Sequence, residues 1–280
     1  MKIVVCIKLI MDPDIVEYDV VTECLNDKSV LLCHADSHVL EQGLLMKEKY
    51  GGEVVAVSVA PLKGDAILKE SLFFGADRAV RIWDSAFHAV DTWQAAQVIA
   101  QWLKIERYDV VLCGSRSADL GSSFMAMALG YHLDVPCVTN IIGLTMDGDR
   151  RIVADKKIEK GKRISYSTML PAVAGLEDGI NESRYVAPFS RTYSEGLKKH
   201  VEYYCPAEYV HKGRTEPHVT MVRLASPRPR VKVGLNISKL SMQQKIKMMR
   251  GELGRKKEIF NGSPDESAKK IAERIKEVFR

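Results

Sequence analysis

The residues best suited to chemistry lie in residues 108–136, where a buried strand, a turn of small residues and an apolar helix follow one another. The apolar run Val110–Cys113 is typical of a strand covered on both faces. Gly114–Ser123 is rich in glycine and serine, and a helix is predicted to begin near Ser122 or Ser123. Unsatisfied amides and the helix dipole favour an oxygen-rich anion there. The pattern indicates a nucleotide site. The alternative is an ordinary strand-to-helix connection with serine caps. It stays open because neither of the nucleotide-binding motifs GxGxxG and GxxxxGK[ST] is present.

No other group of residues predicts catalysis or metal binding. Six cysteines are scattered without a CxxC motif, which favours free thiols in a reducing, cytoplasmic setting. His34 and His38 have a spacing that shares one helical face beside Cys33, but no third ligand lies on the same element, so no metal site is predicted. Asp119 has the chemistry of a base, yet a carboxylate in a turn more often accepts hydrogen bonds. No catalytic residue is therefore assigned.

Composition and charge narrow the class of protein. The 280 residues, 46% hydrophobic and 28% charged, suit a large globular domain with appendages. No apolar run approaches the roughly 20 residues that cross a bilayer, so we expect a soluble protein without a transmembrane segment. Residues 211–280 carry 18 basic and 7 acidic side chains, whereas residues 1–210 carry 23 and 29. No aromatic residues alternate with the basic ones, so an acidic protein partner or a solvated helix fits this tail better than nucleic acid.

Apolar strand-like runs alternate with amphipathic segments over the first 140 residues. This alternation predicts an α/β fold with a mostly parallel sheet and helices on both faces, whose ligands bind at the carboxyl ends of the strands. Asp147-Gly148 and Lys160-Gly161 then predict an antiparallel hairpin at the edge of the sheet. The helices are predicted at Asp36–Tyr50, Gly64–Phe74, Asp91–Lys104 and Ser122–Leu133.

The end of the chain has a different character. ASPRPRVKVG contains two prolines and three basic residues, which predicts an extended segment. Pro264–Arg280 is predicted to form a one-sided helix capped by Ser263, and such a helix needs a surface to pack on. We therefore divide the chain into a nucleotide-binding domain, residues 1–193, and a C-terminal arm with a terminal helix, residues 194–280, that wraps a partner subunit.

Several segments together resemble the beta subunit of electron transfer flavoprotein, and the resemblance covers essentially the whole chain. The opening strand, the glycine-serine loop and the proline-rich segment occur in the order and spacing of that family. The segments that carry the resemblance are VVCIKLIMDPD, EVVAVSVAP, GADRAVRI, HAVDTWQAAQVIA, GSRSADLGSS, LPAVAGLEDGINESRY, SPRPRVKVG and KKEIFNGSPDESAKKIAERI.

The resemblance implies an electron carrier of the adenine-nucleotide alpha-hydrolase-like fold. Its members pair as heterodimers with an alpha subunit that holds FAD, and pass electrons between dehydrogenases of the acyl-CoA dehydrogenase type and an acceptor. The beta chain also holds AMP, or a second FAD in members that bifurcate electrons. The alternative is a stand-alone adenine-nucleotide-binding regulatory protein of the same fold. An adenylating ligase is disfavoured, because its pyrophosphate loop is missing after Val5.

The family's nucleotide site and docking loop can be carried over residue by residue. Cys33-His34-Ala35-Asp36 stands where the family has Asn-Pro-aromatic-Asp, and Phe124-Met125-Ala126 where it has Gln-Thr-Gly, so two polar ligands have become large apolar residues. The loop after Arg184-Tyr185 corresponds to the docking element, unless it packs on its own subunit. The implied nucleotide residues are Cys6, Lys8, Asp36, Val57, Val59, Gly114, Arg116, Asp119, Gly121, Ser122, Ser123, Phe124 and Met125. The implied docking residues are Val186, Pro188 and Phe189.

Overall fold

The computed structural model of the chain describes residues 1–12, 15–19, 22, 24–26, 29–85, 87, 90–148, 150–186, 200–206, 219, 241–249 and 263–278. The chain divides into two compact units, Met1–Ser226 and Pro227–Arg280. The domain division between residues 193 and 194 stays a prediction. No helix within the ranges just given has the length and apolar character that a membrane crossing requires.

The first unit is built on one large sheet. The described strands are β1 Lys2–Cys6, β2 Leu9–Met11, β3 Glu17–Asp19, β4 Cys24–Asn26, β5 Val30–Leu32, β6 Glu53–Val59, β7 Arg78–Ile82, β8 Val110–Gly114, β9 Cys137–Met146, β10 Arg151–Lys157, β11 Arg163–Met169, β12 Ala172–Leu176 and β13 Val201–Tyr204. The sheet has the order β11-β10-β9-β12-β8-β1-β6-β7-β13. Strands β9, β12, β8, β1, β6, β7 and β13 run parallel, and β10 and β11 add the antiparallel edge. The predicted fold class and the edge hairpin are confirmed.

Helices cover both faces of this sheet. The described helices of the first unit are α1 His34–Tyr50, α2 Asp65–Phe74, α3 Thr92–Glu106 and α4 Met125–Leu133, and those of the second unit are α5 Met242–Met249 and α6 Pro264–Val278. Side chains of β1 alternate between two buried clusters. Ile3 and Val5 pack with α1 and α2, and Val4 and Cys6 pack with α3 and α4. Because both faces are covered, the central strands are continuous apolar runs, as the sequence indicates.

Short-range signals set the ends of the helices. Helix α1 ends before Gly51, whose φ of +74° suits glycine. Helix α3 follows Asp91, whose carboxylate accepts the Gln94 backbone N–H at 2.8 Å, while the Gln94 side chain accepts the Asp91 N–H in return. Ser263 caps α6 in the same reciprocal way with Glu266. Each of these three signals is present in the printed sequence.

Two features of the first unit were not predicted. The polar segment after β1 forms two small antiparallel pairs, β2 with β5 and β3 with β4. Strand β13, which follows the predicted domain boundary, pairs in parallel with β7 at the far edge of the sheet. Both involve strands of three or four residues, too short to give a clear alternating pattern.

A network of ion pairs at the amino ends of the strands attaches β13. The guanidinium of Arg78, on β7, donates from Nε and Nη2 to the two carboxylate oxygens of Glu202, both at 2.7 Å. Its Nη1 donates to Glu106, which also accepts Lys2 Nζ at 2.8 Å. These bonds hold the pKa values of Glu106 and Glu202 below their ordinary range, chiefly through Arg78. The bidentate geometry suits arginine and not lysine.

Replacing Arg78 by Gln is expected to lower the free energy of unfolding by about 1 kcal/mol at pH 7, because the side chains are partly exposed. A carboxyl group with a depressed folded pKa stabilises above its unfolded pKa, about 4.3, and loses that contribution as the pH falls through its folded pKa. The difference in the free energy of unfolding between wild type and Arg78→Gln should therefore disappear at acidic pH. Urea unfolding of both proteins at pH 7 and at acidic pH measures this difference.

Arg151→Gln is the matched control, since Arg151 is exposed and has no ion-pair partner among the described residues. A loss of stability equal to that of Arg78→Gln would contradict the role given to the network.

Candidate functional site

Three neighbouring parallel strands end together at one edge of the sheet and form the base of the candidate site. β1 lies between β6 and β8, with Cys6 opposite Val57. Val57 is buried and Val59 half-buried in the apolar layer beneath α3. Between them, Ser58 has a buried hydroxyl with no hydrogen-bond partner among the described residues. This is the edge where α/β sheets bind ligands.

A buried carboxylate joins the ends of β1, β8 and α1. Asp36 lies in the first turn of α1, is 6% exposed, and accepts the backbone N–H of Lys8 on Oδ2 at 2.7 Å. Its Oδ1 would be 2.8 Å from a Cβ at Gly114, so any larger residue there would displace the carboxylate. Burial raises the pKa of Asp36 to about 7, against the opposing effect of Lys8. Asp36, at the predicted start of this helix, therefore connects β1, β8 and α1.

The loop after β8 is closed by its own hydrogen bonds. Ser117 N–H donates to Ser122 O at 2.9 Å, Ser122 N–H to Ser117 Oγ at 3.1 Å, and Gly121 N–H to Ser117 O at 3.0 Å. Ser122 Oγ also lies 3.2 Å from Thr92 Oγ1, which attaches the loop to the start of α3. Ser122 is thus a loop-closing residue and not the cap of the next helix. Ser123 is exposed beside it.

Lys8 and Asp119 join this loop to the end of β1. Lys8 Nζ lies 2.7 Å from each carboxylate oxygen of Asp119. Partial burial raises the pKa of Asp119. The hydrogen bonds from the Lys8 ammonium and the Leu120 N–H lower it by more, so the pKa of this carboxyl group lies below its usual value. Asp119 thus accepts hydrogen bonds from the end of β1 and from its own loop.

The start of α4 differs from the prediction. The helix begins at Met125, not near Ser122 or Ser123, and Phe124 at its N-cap makes no side-chain cap. The ring of Phe124 stacks on Trp93, with centroids 6.0 Å apart and planes 20° apart. Met125 packs against the apolar layer under α3. Neither side chain can therefore replace a polar ligand, and the α4 amides carry no side-chain acceptor.

The thiols near the site are buried packing groups. Cys6 and Cys113 are 7% and 1% exposed, and the contact with Cys6, then burial, raises the pKa of Cys113. Cys33 precedes α1 and is fully buried, and burial raises its pKa. Groups with raised pKa values are poor nucleophiles and poor metal ligands.

The two histidines after Cys33 do not form a metal site with their neighbours. His34 and His38 stand edge to face, with ring centroids 4.8 Å apart, and His38 Nδ1 lies 3.3 Å from Asn181 Oδ1. Within the part of the chain that the structure describes, no three His, Cys, Asp or Glu side chains are placed to hold a metal ion.

Helix α1 also holds the segment that leads to the predicted docking loop. Glu41 is 4% exposed and accepts Arg184 Nε at 2.7 Å and Nη2 at 2.9 Å. Asn181 Nδ2 donates to His38 O at 3.0 Å. Val186, two residues beyond Arg184, is half-buried. The other predicted docking residues, Pro188 and Phe189, lie outside the described residues.

Sequence reasoning missed the residues that hold the loop in place. Ser117 closes it, and Thr92 and Trp93 receive it on α3. Thr92 and Trp93 directly follow the recognisable cap Asp91, but no local pattern shows that the start of α3 adjoins a loop 30 residues further along the chain.

The buried carboxyl group gives a pH test of this geometry. A carboxyl group with a raised folded pKa stabilises the fold while it is protonated, and this contribution is lost as the pH rises from the unfolded pKa, about 3.9, through the folded pKa of about 7. Asp36→Asn should therefore be more stable than wild type at pH 8, by on the order of 2–4 kcal/mol. The advantage should vanish near pH 4. Urea unfolding across this range measures it.

Asp147→Asn is the control, because Asp147 is exposed in a hairpin turn. If Asp36→Asn followed the same pH dependence as this control, Asp36 would not carry the buried charge.

Comparison with known proteins gives the family. The family model described as electron transfer flavoprotein domain matches residues 31–202. The electron transfer flavoprotein subunit beta of Thermoanaerobacterium thermosaccharolyticum is 32% identical over 66% of this chain and 71% of its own, and that of Clostridium acetobutylicum is 34% identical over 67% and 72%. The CarD subunit of the caffeyl-CoA reductase-Etf complex of Acetobacterium woodii is 28% identical over 67% and 72%.

The matched region contains the parallel part of the sheet except β1 and the end of β13, together with the loop after β8 and the segment held by Glu41. Fold, loop and similarity therefore agree, and the chain belongs to the electron transfer flavoprotein family.

Proposed function

We propose that this chain is the beta subunit of an electron transfer flavoprotein. It pairs with an alpha subunit that carries FAD, and the heterodimer passes electrons from a dehydrogenase of the acyl-CoA dehydrogenase type, or a similar one, to an acceptor. The match over residues 31–202 to the family and to its beta subunits carries this proposal. Cytoplasmic location stays a prediction.

We further propose that the cleft at the ends of β1, β6 and β8 holds one adenine nucleotide, AMP or a second FAD. Backbone groups near Lys8, Val59 and Gly114 would hold it, because strand ends leave amides and carbonyls open to a ligand. The buried hydroxyl of Ser58, which has no hydrogen-bond partner among the described residues, supports the fit. Loss of the polar pair at Phe124 and Met125 weakens the side-chain contribution.

In this proposal, the residues of this chain position the cofactor and shield it from water, and they do not react themselves. A bound flavin supplies the redox chemistry. Asp36 fixes the ends of β1 and β8 in place, the bonds between Ser117 and Ser122 keep the loop in one shape, and Glu41 holds the segment that leads to the predicted docking residues. No step of proton or group transfer is assigned to a side chain of this subunit.

Co-expression with an electron transfer flavoprotein alpha subunit tests the proposal. We expect a stable yellow heterodimer, because the alpha subunit would carry the FAD, whose flavin is coloured. Released nucleotides, separated and counted per heterodimer, should be FAD with AMP, or two FAD. Two FAD would support bifurcation and would call for an assay with NADH.

The stand-alone regulatory protein predicts a different outcome. It predicts that the chain purifies alone, binds an adenine nucleotide and never captures a flavin-bearing subunit. A heterodimer with one FAD and no second nucleotide would keep the electron-carrier proposal and overturn the nucleotide site in this chain.

A further inference from the structure

Two cationic side chains, Lys8 and Arg116, lie at the loop after β8, and their surroundings differ. The charge of Lys8 is already matched, since Nζ lies 2.7 Å from both oxygens of Asp119. Asp119 also accepts Leu120 N–H at 2.7 Å and the Ser117 hydroxyl. The carboxylate therefore accepts hydrogen bonds from an ammonium, an amide N–H and a hydroxyl. A phosphate in this loop would use the same three kinds of donor. A phosphate would therefore compete with Asp119 for the Lys8 ammonium.

Arg116 has no such partner. Its guanidinium lies across Gly121, where a Cβ would be 3.2 Å from Nη2, 3.4 Å from Nε and 3.7 Å from Cζ. Gly121 has a φ of +64°, so glycine both allows the backbone conformation and leaves room for the guanidinium. Arg116 is exposed and, among the described residues, has no ion-pair or hydrogen-bond partner for its side chain. The charge of Arg116 therefore lies at the edge of a loop whose shape is fixed by hydrogen bonds within the loop.

We infer that Arg116 is the residue that binds the phosphate of the nucleotide in this subunit and thereby selects a phosphorylated ligand over a nucleoside. The inference rests on the proposed nucleotide site. Phe124 is stacked on Trp93 and Met125 is packed in the apolar layer, so neither contributes a polar group. A guanidinium gives two parallel hydrogen bonds to a phosphate, which makes Arg116 suited to replace what these two positions lack.

The test compares AMP with adenosine on the nucleotide-stripped heterodimer by isothermal titration calorimetry. Arg116→Gln should weaken AMP binding about tenfold or more, because a charge-assisted hydrogen bond is lost, and should leave adenosine binding unchanged. Arg163→Gln, at an exposed arginine on the edge strand β11, is the control and should alter neither.

A double variant uses Lys8 as an internal check. In Arg116→Gln/Asp119→Asn, the neutral amide releases Lys8, and AMP binding should recover in part. AMP binding to Arg116→Gln at wild-type affinity would overturn the inference and leave the proposed function intact. An equal loss of AMP and adenosine would also overturn it, because Arg116 would then only shape the loop. No recovery in the double variant would show that Lys8 does not substitute for Arg116, and would support Arg116 as the residue that binds the phosphate. A wild-type heterodimer that binds neither ligand would remove the nucleotide site itself.

Discussion

The buried carboxylate of Asp36 is the constraint on which the site depends. An acid so far from solvent persists only where its surroundings supply donors and space. The backbone N–H of Lys8 supplies the donor, and the absence of a side chain at Gly114 supplies the space. These requirements fix where the chain turns after β1, how α1 approaches the sheet and which residue can end β8. The candidate site therefore lies among elements that meet at one carboxyl group.

Much of the fold follows from local signals in the sequence. The buried strands are short apolar runs, and the helix after Asp91 begins where a reciprocal cap is visible. The hairpin turns at Asp147-Gly148 and Lys160-Gly161 are equally plain. These features depend on neighbours within a few residues. The small pairs after β1 and the addition of β13 depend on distant partners, and strands of three or four residues carry too little pattern to reveal them.

The site could be located from the sequence but not described. Alternation of strands and helices predicts which loops converge, and the resemblance adds their residues. It does not show that Asp119 pairs with Lys8, that Ser122 closes a loop in place of capping a helix, or that Phe124 turns towards Trp93. The contacts of Asp119 and Phe124 join residues that are far apart in the chain. Their pairing depends on the tertiary structure and has no local signal in the sequence.

The last strand of the sheet has a consequence for synthesis. Arg78 on β7 and Glu202 on β13 are 124 residues apart, and the strand that covers the edge of β7 leaves the ribosome after every other described strand of the sheet. Until then, the hydrogen-bonding groups along that edge have no partner strand and offer a template for pairing with another chain. The growing polypeptide therefore passes through a period in which its core elements are complete but one side is open. Contact with chaperones or with the partner subunit during translation would protect that side until β13 closes it.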